Sequence, residues 1–151
     1  MNIYLKDIDN NNWKECVFLT TDKDGKNFVC EEFVASNAVS IAQSKIENGW
    51  ITKSIFYENN MIRFTMYGFC YESNFYEICR IMIDHKYQGK GYGKIAFGKV
   101  IEKMKNFKDC TKIFLSFDPR NQIGKKLYES FNFKDTCKII DGELLYVLNL
   151  S

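Results

Sequence analysis

The segment Gln88-Gly89-Lys90-Gly91-Tyr92-Gly93-Lys94 constrains this chain more than any other. It lies between an apolar run that reads as a strand, Phe75 to Ile83, and a periodic run that reads as a helix to about Lys105. Glycines at such a junction let successive N–H groups turn inward and let the main chain approach a ligand. The new helix adds unpaired N–H groups and the positive end of its dipole. Lys90 and Lys94 add charge, so the junction suits an anion.

Two familiar anion loops fail here. The dinucleotide fingerprint Gly-x-Gly-x-x-Gly, started at Gly89 and Gly91, meets Lys94 where a third glycine is needed. The nucleotide P-loop, counted back from Gly93-Lys94, finds Gln88 for its first glycine and Ile95 for its hydroxyl residue. What does fit is Gln-x-x-Gly-x-Gly, at Gln88, Gly91 and Gly93.

The rest of the chain sets that loop in an α/β context. Asn2 to Ile8 alternates like a strand. Asn12 to Leu19 and Ala38 to Asn48 read as helices, with asparagines and Ser36 or Asn37 as caps. Trp13, Cys16 and Val17 share a face of the first; Val39, Ala42 and Ile46 share a face of the second. Thr52 to Tyr57, Met61 to Tyr71 and Phe75 to Ile83 read as an antiparallel meander with turns at Glu58-Asn59-Asn60 and Ser73-Asn74. Ile95, Val100, Ile101 and Met104 line the helix after the loop. Lys112 to Phe117 is a short strand, and Asn121 to Ser130 is a helix with Ile123, Leu127 and Ser130 on one face. Lys134 to Ile140 and Leu144 to Leu150 close the order around Asp141-Gly142. The expected fold is a mixed, mostly antiparallel sheet of six to seven strands flanked by about four helices, in one domain over residues 1–151.

With its loop motif and this element order, the chain resembles the GNAT N-acetyltransferases along essentially its whole length. Within them, Arg80-Ile-Met-Ile-Asp84 running into Tyr87 to Lys94, and Phe33-Val-Ala-Ser-Asn37 with Ser40-Ile-Ala-Gln43, resemble the spermine/spermidine branch. The resemblance implies acetyl-CoA as cosubstrate and no metal. The backbone of Ile81, Met82 and Ile83 would pair with the pantetheine arm as a strand does. Gln88, Gly89, Lys90, Gly91, Tyr92, Gly93 and Lys94 would hold the pyrophosphate, and Asn121 would touch the cofactor. Tyr128 would be the general acid for the departing thiolate, for which an ordinary pKa of about 10 is suited. Two departures are visible: Asn132 stands where a glycine commonly precedes Phe133, and Gly124 is a poor helix former.

A polyamine acceptor calls for spaced carboxylates. Glu31, Glu32, Glu58, Glu72, Glu77 and Asp84 are the candidates; Glu72 and Glu77 beside the turn, and the Glu31-Glu32 pair, are favoured. His85 stands near the loop. Alternatives keep the fold but change the acceptor to an aminoglycoside, amino acid or protein N-terminus, or keep CoA binding without turnover.

Composition enters as exclusion. A net charge of +2, mixed along the length, lacks the basic face of a nucleic-acid binder. No run approaches the roughly 18 apolar residues of a membrane span, and the start MNIYLKDIDNNNW has no signal-peptide core. The six cysteines contain no Cys-x-x-Cys pair and read as reduced, mostly buried thiols of a cytoplasmic protein. Open sheet edges leave room for a homodimer.

Overall fold

The computed structural model describes residues 2–19 and 37–150. The elements run β1 (Ile3–Asp7), α1 (Trp13–Phe18), α2 (Asn37–Ile46), β2 (Trp50–Tyr57), β3 (Asn60–Cys70), β4 (Phe75–Ile83), a 3-10 turn (His85–Tyr87), α3 (Tyr92–Lys105), β5 (Lys112–Phe117), α4 (Gln122–Ser130), β6 (Lys134–Ile140) and β7 (Glu143–Asn149). They build a seven-stranded sheet in the order β1-β2-β3-β4-β5-β7-β6. Neighbours are antiparallel except β4 and β5, which run parallel.

Helices cover both faces. On one, Cys16 of α1, Leu19 at its end and Ile41 of α2 pack against Phe56, Met61, Phe64 and Met66. On the other, α3 buries Ala96, Phe97, Val100, Ile101 and Met104, and Leu127 and Tyr128 of α4 join them over Tyr67, Ile78 and Ile113. Each large side chain so buried stabilises the fold by roughly 1.5–3 kcal/mol, which holds α3 rigidly across the sheet.

Helix faces are where sequence periodicity went astray. In α2 the buried residues are Asn37 and Ser40, while Val39 and Ile46 are exposed. Asn37 turns inward because its Nδ2 donates to the carbonyls of Cys16 and Leu19, at 2.7 and 3.3 Å, and so docks α2 on α1. Trp13 is exposed and Cys16 alone is buried in α1. Asn12 sits at the N-cap position without capping: its side chain bonds back to the Asp7 carbonyl and the Asp9 N–H. In α4, Ile123 is 86% exposed and the inward face is Gly124, Leu127 and Tyr128.

The thiols also differ from expectation. Among the five described cysteines, all free, Cys16 and Cys110 are buried, Cys70 and Cys79 are half-buried and Cys137 is exposed. No helix of the described residues is long and apolar enough to cross a membrane.

Two bulges set up the site. Between β2 and β3, Ile55 pairs with Arg63 and Phe56 with Met61, so Ile62 is an extra residue. Between β3 and β4, Met66 pairs with Arg80 and Tyr67 with Ile78, so Cys79 is extra. A bulge puts consecutive side chains on one face and bends its strand. Ile62 and Arg63 therefore both face α3, and Cys79 and Arg80 both face α2.

Candidate active site

Strand β4 follows β3 along its whole length but meets β5 in a single Cα pairing, Glu77 with Phe114. Beyond that point the parallel strands diverge. The bulge at Cys79 explains this, since it bends β4 immediately after the last shared pair. Among the described residues no strand pairs with the β5-facing edge of Arg80 to Ile83, so that edge is open to an extended ligand. This contact uses main chain; the Ile81 side chain stays on the core.

At the end of that edge stands the glycine loop. Gly89 and Gly91 have φ of 75° and 78°, and a methyl group on either would meet nothing within 4 Å. These glycines serve backbone conformation, and the space above them is vacant. Gly91 is also the N-cap residue of α3 and supplies no side-chain cap. The first N–H groups of a 14-residue helix thus remain for an anion. Tyr92 does not face that space with its ring, which stacks on Tyr57 at 4.7 Å, while Lys90 Nζ lies 5.8 Å from the centre of the Tyr87 ring. Gln88, Lys90 and Lys94 are exposed around the loop. Gly93 has a different duty: the guanidinium of Arg63 lies 3.4 Å from where its Cβ would be, and Arg63 Nη1 donates to the Gly93 carbonyl at 2.8 Å.

Tyr128 is wedged between Phe97 of α3 and Phe117 of β5, with ring centres 5.4 and 5.1 Å away. Burial raises its pKa above the ordinary value, and Arg63 pulls in the opposite direction. Its proton is therefore firmly held at neutral pH. Asn121 caps α4, its Oδ1 accepting the Gly124 N–H at 2.9 Å. Asn132 adopts a left-handed conformation, φ 67°, as the missing glycine would.

On the α2 side of the sheet lies an open cleft of about 790 Å³. Glu77 and Cys79 line it from β4, Glu47 from beside α2, Glu72 from the β3–β4 turn, Ser116 from β5 and Asp141 from the β6–β7 turn. Burial raises the Glu77 pKa, while the Cys79 thiol, donating a hydrogen bond, and the nearby Arg80 charge act against that rise. Burial likewise pushes the Cys79 thiol up to about 12, keeping it a donor. Arg80 is anchored on Gln43 Oε1 and Cys79 Sγ, both at 3.2 Å. Glu47 is fixed by Trp50 Nε1 and Gln43 Nε2, at 2.8 and 2.9 Å.

Of the carboxylates expected from sequence, Glu72 and Glu77 lie in this cleft. Glu58 is an exposed turn residue with φ of 53°. Asp84 is buried and accepts the Lys86 N–H at 2.9 Å, capping the 3-10 turn. Glu31 and Glu32 lie outside the described residues, as does the side chain of His85. Glu47, Asp141 and Arg63 went unmarked in the sequence. For Arg63 the available signal was the single charged residue of an eleven-residue strand.

Residues 10–133 match the acetyltransferase (GNAT) family. The chain belongs to that family and is an acyl-CoA-dependent N-acetyltransferase. It is 27% identical over 125 residues to a spermine/spermidine N(1)-acetyltransferase of Bacillus subtilis, covering 78% of this chain and 82% of that one. Its fold is similar to that of the PaiA N-acetyltransferase from Thermoplasma acidophilum in complex with coenzyme A, with a TM-score of 0.75, 16% identity and 99% of each chain covered. It is also similar to the ribosomal-protein-S18-alanine N-acetyltransferase of Escherichia coli: TM-score 0.72, 12% identity, 99% of this chain and 95% of that one. Proteins named for acceptors as different as a polyamine and a ribosomal-protein alanine are both similar to this chain, so the acceptor must be argued from the cleft.

Proposed function

We propose that this chain, as a single catalytic domain, transfers the acetyl group of acetyl-CoA to a primary amine of a polyamine. The observation that carries the reading is the cleft beside the β4–β5 divergence, whose lining holds four carboxylates, Glu47, Glu72, Glu77 and Asp141, against one cation, Arg80. A linear polycation needs spaced negative charge along its length and one end near the thioester. The relative from Bacillus subtilis, named for spermine and spermidine, supports the same choice.

The cofactor's pyrophosphate is held by the backbone of Gln88 to Lys94 at the uncapped start of α3, assisted by the charges of Lys90 and Lys94. The pantetheine arm lies along the main chain of Ile81, Met82 and Ile83, and Asn121 contacts it from the far side. The neutral amine attacks the thioester carbonyl; a C–N bond forms and the C–S bond breaks. Tyr128 gives its proton to the departing thiolate. The amine's surplus proton leaves through the cleft, with Glu77 the carboxylate nearest the divergence. Glu72 and Glu77 bind the acceptor's other ammonium groups, and Glu31-Glu32 is the further carboxylate pair we assign to it.

The test is CoA release from acetyl-CoA with spermine, spermidine, putrescine, lysine, an aminoglycoside and a short peptide. Turnover confined to the polyamines supports the reading. Turnover confined to another amine keeps the chemistry and removes the acceptor; CoA binding without turnover on any of them removes the catalytic reading for this panel.

A further inference from the structure

Arg63 is the most heavily buried cation described, at 6% exposure, with one donor satisfied by Gly93 and its Nε without a partner. Among the described residues no carboxylate pairs with it. Burial lowers its pKa to about 10, and the one titratable group acting on it is Tyr128. A buried cation without a counter-charge carries a desolvation penalty of several kcal/mol. The sheet nevertheless aims it, through the bulge at Ile62, at the first turn of α3.

We infer that Arg63 is a built-in counter-charge for the cofactor's pyrophosphate, held beneath the helix start that receives it. It is a positioning residue: it braces the first turn at Gly93 and adds a full positive charge to the partial charge of the helix end. Two features support this over a purely structural role. A structural brace has no need of a charge, because the Gly93 carbonyl, inside α3, already has an in-helix donor in the N–H four residues on. And a glycine at 93 lets the guanidinium lie flush against the turn, where a Cβ would be 3.4 Å from both terminal nitrogens. The inference rests on the assignment of the glycine loop to CoA.

The experiment compares wild type with Arg63→Met and Arg63→Lys. Melting temperature without ligand, and affinities for CoA and for ADP, are measured by calorimetry. ADP carries a pyrophosphate but no thiol arm. For Arg63→Met the ligand-free melting temperature should hold or rise, since a penalised charge is gone. Affinity for both CoA and ADP should fall roughly tenfold, with the thermal shift on adding CoA reduced in step. Measured at pH 6, where a buried lysine holds its proton more firmly than at neutrality, Arg63→Lys keeps the charge and should lie within about threefold of wild type. Unchanged CoA affinity in Arg63→Met overturns the inference, as does a loss seen with CoA but not ADP. If Arg63→Met does not fold, Arg63→Lys decides: a folded lysine variant that loses ADP overturns it, and one that keeps ADP supports it. Failure of wild type to bind CoA sinks the loop assignment itself and takes the inference with it.

Discussion

The side chain of Asn121 accepts the N–H of Gly124 at 2.9 Å, and a methyl group on Gly124 would come within 2.6 Å of that same side chain. The cap and the glycine are one device: Asn121 folds over the first turn of α4 only because position 124 has no Cβ. Gly124→Ala gains about 1 kcal/mol of helix propensity and loses a cap of about 1 kcal/mol. Stability should therefore stay within about 1 kcal/mol of wild type in thermal melts. Displacement of Asn121 should weaken CoA binding severalfold by calorimetry; unchanged affinity would remove Asn121 from the cofactor site.

Tyr128→Phe keeps the ring between Phe97 and Phe117 and removes the proton. Turnover should fall about a hundredfold, with CoA affinity retained. Because burial raises the Tyr128 pKa, the acid form persists through neutral pH and is lost only as pH rises past the ordinary tyrosine range of about 10. A pH profile of kcat should show no Tyr128-dependent loss below that point. An alkaline limb near pH 8 that disappears in the phenylalanine variant would contradict the raised pKa, and turnover unchanged in that variant would remove Tyr128 from the role of acid.

Gly91 separates backbone strain from charge. Its φ of 78° means that alanine there costs about 1–2 kcal/mol, with no steric clash. Gly91→Ala should reduce stability by that amount and leave CoA binding detectable. Gly91→Glu adds bulk and negative charge in the space above the loop and should abolish binding. Normal CoA affinity in the glutamate variant would place the pyrophosphate elsewhere.

In the proposed acceptor site, Glu77 would hold a cationic amine only while ionised. Its raised pKa means the charge is present above an elevated value and is lost as pH falls through it. The KM for spermidine should therefore begin to climb, as pH is lowered, above the ordinary glutamate value of about 4.3. Glu77→Gln should raise that KM about tenfold at neutral pH, the scale of one hydrogen bond to a charged group. Steady-state kinetics that leave KM unchanged would take Glu77 out of the acceptor site.

Much of the architecture was legible before any coordinates. The meander, the loop between β4 and α3 and the closing hairpin each carry local signals: alternation, glycines, short polar turns. These signals report a chain's own conformational preference, which neighbours seldom reverse. Helix faces were less legible. Asn37 and Ser40 lie inward and Ile46 and Ile123 outward because hydrogen bonds from buried polar side chains, rather than apolar spacing, dock α2, and because α4 turns its glycine toward Asn121.

By itself, then, the sequence determined the order of elements and the glycine loop between β4 and α3, and it offered Tyr128, Glu72 and Glu77 as candidates. The tertiary structure decided which charges meet. Glu47, the Glu72 and Glu77 pair, and Asp141 come from three separate parts of the chain and line one cleft beside the point where β4 leaves β5. Arg63 reaches α3 only because a bulge at Ile62 puts two successive residues on one face. The divergence arises where β4 meets β5, which is distant in sequence, and the bulges arise from how neighbouring strands settle their register, which side-chain alternation does not encode.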